Sequence, residues 1–156
     1  MKMKKILFVC LGNICRSPAA EAIMKKKVEA RQLEHLFEID SAGIMNYHGG
    51  ELPDDRMRKY GSLRGYKVDS IARQITKEDF EYFDIIIGMD NQNIADLKRK
   101  APNKEALKKI QKIDAYFTKH DFTFVPDPYY GNEKDFNFVL DLLEDACENI
   151  VNQHLQ

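Results

Sequence analysis

The fold of this chain is decided by one stretch near its N-terminus, which reads Ile6-Leu7-Phe8-Val9-Cys10-Leu11-Gly12-Asn13-Ile14-Cys15-Arg16-Ser17-Pro18. Its first four residues are apolar, as in a short buried strand, and a helical pattern follows Pro18. The residues between them form a turn from strand to helix. Because the first N–H groups of a helix lack intrahelical partners and lie at the positive end of its dipole, such a turn binds anions.

The turn has the composition of an anion-binding nest. It consists of five residues, namely Leu11, Gly12, Asn13, Ile14 and Cys15. Gly12 permits close backbone approach, and Asn13 tolerates the left-handed region better than most residues do. Ser17 is predicted to cap the helix and Pro18 to take its first position, where a missing N–H costs nothing.

Cys10 and Arg16 flank this loop and suggest covalent phosphate chemistry. A thiol near a helix N-terminus and an arginine is favoured as the thiolate, which can attack phosphorus. Arg16 offers a planar fork for two phosphate oxygens. The alternative is a buried cysteine in an ordinary turn. The preceding strand, Gly12-Asn13 and Ser17-Pro18 together favour the phosphate site.

Length and composition indicate one globular domain over residues 1–156, with 44% hydrophobic and 31% charged residues. The net charge of −1 argues against a general nucleic-acid binder. No stretch approaches the roughly 20 apolar residues that span a bilayer, so no membrane association is expected. Three cysteines do not form a disulfide framework and suit a reducing compartment, which predicts a cytoplasmic location.

Strand and helix patterns alternate along the chain. The predicted strands are residues 4–9, 37–41, 84–88 and 109–113. Helical patterns follow the first strand, cover residues 55–66, carry Ile94 and Leu97, and run on from Phe136. This order predicts an α/β fold, a small doubly wound four-stranded parallel sheet with helices on both faces. Residues 45–55 and 122–130 are predicted loops.

Hydrolysis of an aryl phosphate also needs an acid to protonate the leaving group. Spacing alone cannot choose among the many carboxylates. Asp127 stands out because it lies between two prolines and just before Tyr129 and Tyr130. An aspartate before proline is also common in ordinary turns, so the residues themselves leave both interpretations open.

Several segments resemble the low-molecular-weight protein tyrosine phosphatases. They are Cys10–Pro18, Ser41-Ala42-Gly43, Ala72–Phe80, Gly88-Met89-Asp90 and Asp127–Gly131. The resemblance covers nearly the whole chain in the expected order. It implies the strand order 2-1-3-4, with Cys10 as nucleophile, Arg16 as phosphate ligand and Asp127 as general acid and base.

The resemblance also implies supporting roles and partners. Ser17 would donate to Cys10, and Asn13 would hold the loop together with Ser41. Cys15 could trap an oxidised Cys10 as a reversible disulfide. The aromatic walls of the cleft are expected from Tyr47, Tyr129 and Tyr130. The implied substrates are phosphotyrosine proteins or small aryl phosphates, with inorganic phosphate as product, no cofactor or metal, and a monomer or weak dimer.

Other functions would require other residues. An arsenate reductase would need a closely spaced cysteine pair in mid-chain, and residues 80–95 contain none. A phosphoarginine phosphatase is associated with threonine where this loop has Ile14. A phosphopeptide-binding module would need neither a nucleophile nor an acid. A Walker-type loop is excluded because no lysine follows a glycine in the loop. The four histidines lack ligand spacing.

Overall fold

Four parallel strands form the centre of the structure, a computed structural model that describes residues 2–155. They are β1 (Lys4–Cys10), β2 (Phe37–Gly43), β3 (Ile85–Gly88) and β4 (Ile110–Lys112). Their order is β2-β1-β3-β4, which confirms the predicted sheet. The predicted domain began at Met1 and ended at Gln156, and these two residues lie outside the described residues.

The sheet register brings the carboxyl ends of three strands together. Cys10 at the end of β1 lies opposite Gly43 of β2, and Val9 lies opposite Gly88 of β3. The strands on either side of β1 lead into helices on opposite faces of the sheet. The loop after β1 therefore opens at a topological switch point, the place where open α/β sheets bind ligands.

Helices occupy the connections between the strands. They are α1 (Arg16–Ala30), α2 (Asp55–Leu63), α3 (Lys77–Tyr82), α4 (Asn91–Lys100), α5 (Lys104–Lys108) and α6 (Glu133–Gln153), with short 3-10 turns at Glu34–Leu36 and Ile113–Tyr116. The sequence patterns did not predict α5 or the 3-10 turns, because segments this short carry no measurable periodicity. Within residues 2–155, no helix is both long and apolar enough to cross a bilayer.

Two hydrophobic cores cover the two faces of the sheet. Ile6 and Phe8 of β1 belong to the larger core, which contains the apolar sides of α1 and α6. Leu7 and Val9 belong to the smaller core, which α3, α4 and α5 complete. Because successive side chains of a strand point to opposite faces, a strand buried on both sides must be apolar throughout.

The long helix α6 confirms the apolar stripe seen in the sequence. Its inward side chains, Phe136, Val139, Leu140, Leu143, Cys147, Ile150 and Val151, are fully buried. The helix begins before that stripe because Asn132 caps it and Asp135 completes a capping box. Burial raises the pKa of Cys147 to about 12, so its thiol packs as a small apolar group.

The start of α1 differs from the prediction. The helix begins at Arg16, and Cys15 is its N-cap residue without a side-chain cap bond. Ser17 is therefore not the cap and Pro18 does not take the first position. The hydroxyl of Ser17 contacts Cys10 and Asn13 instead. Pro18 still lies in the first turn, where a helix tolerates the missing N–H.

Candidate active site

A cleft of about 260 Å³ opens at the carboxyl edge of the sheet, above the end of β1. Its walls are formed by Cys10, Leu11, Gly12, Ile14, Cys15, Arg16, Tyr47, His48, Asp127, Tyr129 and Tyr130. Every one of these except His48 was among the site residues named from the sequence. The remaining predicted site residues, Asn13, Ser17 and Ser41, are buried behind the loop and do not line the cleft.

Cys10 lies at the base of the cleft and is almost fully buried. Its Sγ is 3.0 Å from the hydroxyl oxygen of Ser17. The backbone N–H of Ser17, in the first turn of α1, donates to the same sulfur over 3.4 Å. These two contacts hold the sulfur at the N-terminal end of α1. The position suits a sulfur nucleophile that faces the cleft.

Asn13 holds the loop from behind. It adopts the left-handed conformation with φ 57°, as its residue type permits. Its Nδ2 donates to Ser17 Oγ over 2.8 Å and to Ser41 Oγ over 3.0 Å, while its Oδ1 accepts from the N–H of Arg73. Because Ser17 accepts from Asn13, its own hydroxyl proton is available for the sulfur of Cys10.

A buried carboxylate fixes the direction of this hydrogen-bond chain. Ser41 donates to Glu21 Oε1 over 2.6 Å, so its lone pairs face Asn13. Glu21 is only 5% exposed and its other oxygen pairs with Lys25 at 2.5 Å. Sequence reasoning missed Glu21, because its spacing from Lys25, four residues later, indicates an ordinary ion pair on a helix rather than a role at the site.

Arg16 projects from the first position of α1 and is 3% exposed. Its Nη1 donates to Asp90 Oδ2 over 2.6 Å and to the carbonyl oxygen of Val125 over 3.0 Å. Burial opposes the charged form, but Cys10, Asp90 and Asp127 outweigh it and raise the pKa of the guanidinium. Arg16 is therefore a permanent cation in the wall of the cleft.

Asp90 was missed as a site residue, although a signal for it existed. It follows β3 directly and caps α4 by accepting from the N–H of Asn93. Because β1 and β3 are neighbouring parallel strands, residues that follow them meet at the same edge of the sheet. The segment Gly88-Met89-Asp90 could therefore have been placed beside Arg16.

Asp127 lies across the cleft from the loop. Its Oδ2 is 3.9 Å from Nη2 of Arg16, and its Oδ1 accepts from the N–H of Tyr129. The carboxyl is 45% exposed, so water reaches it. The structure thus brings an acid, a buried arginine and a thiol to one cleft, which is the set needed for acid-assisted transfer of a phosphoryl group.

Aromatic side chains form the rim of the cleft. Tyr47 is 69% exposed and Tyr130 is 95% exposed. Tyr129 packs edge-on against Tyr130, with ring centroids 5.0 Å apart. The opening of the cleft is therefore lined by aromatic side chains, and two of them are largely exposed to solvent.

Cys15 also lines the cleft but differs from Cys10 in its surroundings. Burial first, and then the negative charges of Asp54, Cys10 and Asp127, raise its pKa well above the usual range. Cys15 therefore remains a neutral thiol beside the nucleophile. Within residues 2–155, no three histidine, cysteine or acidic side chains lie close enough together to bind a metal ion.

Comparisons with known proteins find similarity over nearly the whole chain. The family model described as low molecular weight phosphotyrosine protein phosphatase matches residues 5–156. A low molecular weight phosphotyrosine protein phosphatase of Gallus gallus is 44% identical over 94% of this chain and 93% of its own length.

Solved structures of phosphatases are also similar to this chain in sequence and in fold. The crystal structure of a protein tyrosine phosphatase from Entamoeba histolytica, with Hepes in its active site, is 51% identical with a TM-score of 0.93 and covers 96% of both chains. A Drosophila arginine phosphatase is 33% identical with a TM-score of 0.90, over 97% of this chain and 98% of its own.

Proposed function

The chain belongs to the low molecular weight phosphotyrosine protein phosphatase family, and from this membership we propose that it hydrolyses aryl phosphate monoesters through a phosphocysteine on Cys10. The observation that carries the proposal is the meeting of Cys10, Arg16 and Asp127 in one cleft with an aromatic rim. The substrates are phosphotyrosine proteins or small aryl phosphates. The predicted cytoplasmic location and the monomeric or weakly dimeric state remain predictions.

The first half-reaction transfers the phosphoryl group to the enzyme. The Sγ thiolate of Cys10 attacks phosphorus as the bond from phosphorus to the aryl oxygen breaks. The carboxylic acid of Asp127 donates its proton to that oxygen, so a neutral phenol leaves. Arg16 and the N–H groups at the start of α1 stabilise the charge on the remaining phosphoryl oxygens in the transition state.

The second half-reaction returns the enzyme to its starting state. The carboxylate of Asp127 takes a proton from water as the water oxygen attacks phosphorus and the sulfur–phosphorus bond breaks. Inorganic phosphate and the Cys10 thiolate result. Every proton is supplied and recovered by Asp127, so the cycle needs no cofactor and no metal ion.

The test is p-nitrophenyl phosphate hydrolysis at mildly acidic pH with a chelator present. We expect wild type to turn over and Cys10→Ser to lose activity by about 10⁴-fold or more, because a hydroxyl replaces the nucleophilic thiolate. Cys147→Ala, which removes a thiol far from the cleft, is the control. An inactive wild type under reducing conditions would leave a phosphate-binding module or a redox role.

A second candidate, a phosphoarginine phosphatase, is favoured by the likeness to the Drosophila arginine phosphatase. Ile14 in the wall of the cleft favours the aryl substrate, because an apolar side chain packs against a phenyl ring rather than a guanidinium. We expect wild type to prefer phosphotyrosine over phosphoarginine, and Ile14→Thr to narrow that preference. Paired kcat/KM values for the two substrates measure it.

A further inference from the structure

The segment that carries Asp127 has no regular structure of its own. Residues 117–132 form neither helix nor strand, so the position of the carboxyl depends on the bonds that tether this segment. On the N-terminal side, Val125 donates its N–H to the carbonyl oxygen of Met89 and accepts from Arg16. These two bonds fix the chain two residues before Asp127.

On the C-terminal side, the tether is Arg56 of α2. Its Nη2 donates to the carbonyl oxygen of Tyr129 over 2.8 Å, and its guanidinium lies 5.4 Å from the centroid of the Tyr129 ring. Within residues 2–155, the other hydrogen bonds of residues 127–131 are local, from Tyr129 to Asp127 and from Gly131 to Pro128. Arg56 does not line the cleft.

Arg56 is itself held in place. Its Nε and Nη2 donate to the two carboxylate oxygens of Asp54 over 3.1 and 2.9 Å, a bidentate pair. Its guanidinium also lies 4.7 Å from the ring centroid of the fully buried Phe136. A guanidinium that is bound to a carboxylate in a bidentate pair and also lies against an aromatic ring has little freedom to move.

Asp54 connects the guanidinium of Arg56 to the loop of residues 11–15, here called the phosphate loop. Its backbone N–H donates to the carbonyl oxygen of Ile14 over 2.8 Å. A continuous path of hydrogen bonds therefore runs from the loop through Asp54 and Arg56 to Tyr129. The path joins the element that carries the nucleophile to the segment that carries the acid.

We propose that Arg56 is a positioning residue that sets the distance of the Asp127 carboxyl from the phosphoryl group by holding Tyr129. The inference rests on the proposed function. Its consequence is specific, because a misplaced acid matters only where the leaving group needs a proton. An aryl oxygen of low basicity departs as the anion, whereas a phenol oxygen does not.

The experiment compares kcat/KM for phenyl phosphate and a dinitrophenyl phosphate in wild type and Arg56→Met. Since small displacements of a catalytic group cost about 10²-fold, we expect a loss of about 30- to 100-fold with phenyl phosphate and about threefold or less with the dinitrophenyl ester. Arg56→Lys, which keeps the charge and one donor, should fall between. Arg58→Met, on the same helix and similarly exposed, is the control.

Two further measurements separate positioning from general damage. In an Asp127→Asn background, Arg56→Met should change kcat/KM for phenyl phosphate by about twofold or less, because its effect passes through the missing acid. Hydrogen exchange of the peptide covering residues 128–132 should be faster in Arg56→Met than in Arg58→Met, whether or not the enzyme is active.

Equal losses for both leaving groups, additive effects with Asp127→Asn, or unchanged exchange would each overturn the inference while the phosphatase function stands. A wild type that hydrolyses neither ester would instead overturn the function, and the positioning role with it. Hydrogen exchange would then still report whether Arg56 holds Tyr129.

Discussion

At the scale of single residues, the direction of the hydrogen bonds behind Cys10 depends on which side chains can only donate and which can only accept. Asn13 donates to both Ser17 and Ser41, and Glu21 can only accept from Ser41. These constraints leave the Ser17 hydroxyl proton two acceptors, the sulfur of Cys10 at 3.0 Å and the carbonyl oxygen of Ala42 at 3.5 Å, and the sulfur is the nearer of the two. A short chain of small polar side chains thus orients a proton next to the nucleophile.

The first prediction concerns the hydroxyl of Ser17. We expect Ser17→Ala to lower kcat/KM for p-nitrophenyl phosphate by about 10- to 100-fold, because a hydrogen bond to a charged group contributes about 1.5–3 kcal/mol. The matched control is Ser70→Ala, since the buried Ser70 Oγ has no hydrogen-bond partner within residues 2–155. Equal kcat/KM values for p-nitrophenyl phosphate in Ser17→Ala and Ser70→Ala would contradict the prediction.

The second prediction separates the conformation of Asn13 from its side-chain bonds. Both Asn13→Ala and Asn13→Gly remove the bonds to Ser17 and Ser41, but only alanine is strained at φ 57°. We expect both variants to lose activity, and alanine to unfold more easily than glycine by about 1 kcal/mol. Urea denaturation and kcat/KM measure the two effects. Wild-type activity in Asn13→Gly would show that the loop needs only the backbone conformation.

At the scale of elements, the side chains of α6 support the irregular segment that leads to Asp127. Asp145 projects from α6 with its side chain 1% exposed. It accepts from the backbone of Thr118 and Lys119 and lies 3.0 Å from Nδ1 of His120. The turn at residues 118–120 is therefore fixed to the helix by one buried carboxylate.

The third prediction is that Asp145→Asn lowers the free energy of unfolding by about 2 kcal/mol at neutral pH, because buried donors lose a charged acceptor. Burial acts to raise the pKa of Asp145, but bonds from His120, Lys119 and Thr118 outweigh it and lower the pKa. The stabilisation is therefore present above the unfolded pKa of about 3.9 and is lost as the pH falls through the lower folded pKa.

Urea midpoints between neutral and strongly acidic pH test this prediction. The difference between wild type and Asp145→Asn should shrink as the pH falls below about 4. Asp141→Asn, one turn earlier on α6 and 49% exposed, is the control and should change the stability by about 0.5 kcal/mol or less. A constant difference at all pH values would mean that the charge of Asp145 is not what stabilises the turn.

At the scale of the whole molecule, the site depends on close contact between separate parts of the chain. Gly43 at the end of β2 lies against the phosphate loop, and a Cβ there would come within 3.0 Å of the backbone carbon of Gly12. The N–H groups of Ile44 and Met45 donate to the carbonyl oxygens of Cys10 and Leu11. The end of β2 thus forms one wall of the loop.

The fourth prediction is that Gly43→Ala reduces activity more than stability. The added methyl group meets backbone atoms on the loop, which must move by a few tenths of an ångström. We expect kcat/KM to fall about 100-fold, because catalytic groups tolerate little displacement. The unfolding free energy should fall by only about 1–3 kcal/mol. If Gly43→Ala had the kcat/KM of wild type but a lower stability, the loop would accommodate the methyl group without displacing the catalytic groups.

Features that depend on short stretches of the chain could be predicted from the sequence alone. Three segments predicted their own local structure: the apolar run to Val9, the loop with Gly12 and Asn13, and the apolar stripe of α6. Such predictions work because the periods of strands and helices, and the ability of a residue to adopt the left-handed conformation, are properties of short stretches of sequence. The same stretch placed Cys10 and Arg16 on either side of a loop. The strand order 2-1-3-4 came from the family resemblance and is confirmed.

The distant side chains that complete the site are apparent only in the folded chain. The pairs Arg16 with Asp90 and Arg56 with Tyr129 join residues 74 and 73 positions apart. No local pattern encodes such contacts, because they arise from the packing of β1 beside β3 and of α2 against α6. For the same reason the sequence chose Asp127 only through resemblance and left Glu21 unnoticed, whereas the position of Asp90 directly after β3 could have placed it at the site. Which residues far apart in sequence come into contact depends on how the helices and strands pack, and that packing exists only in the folded chain.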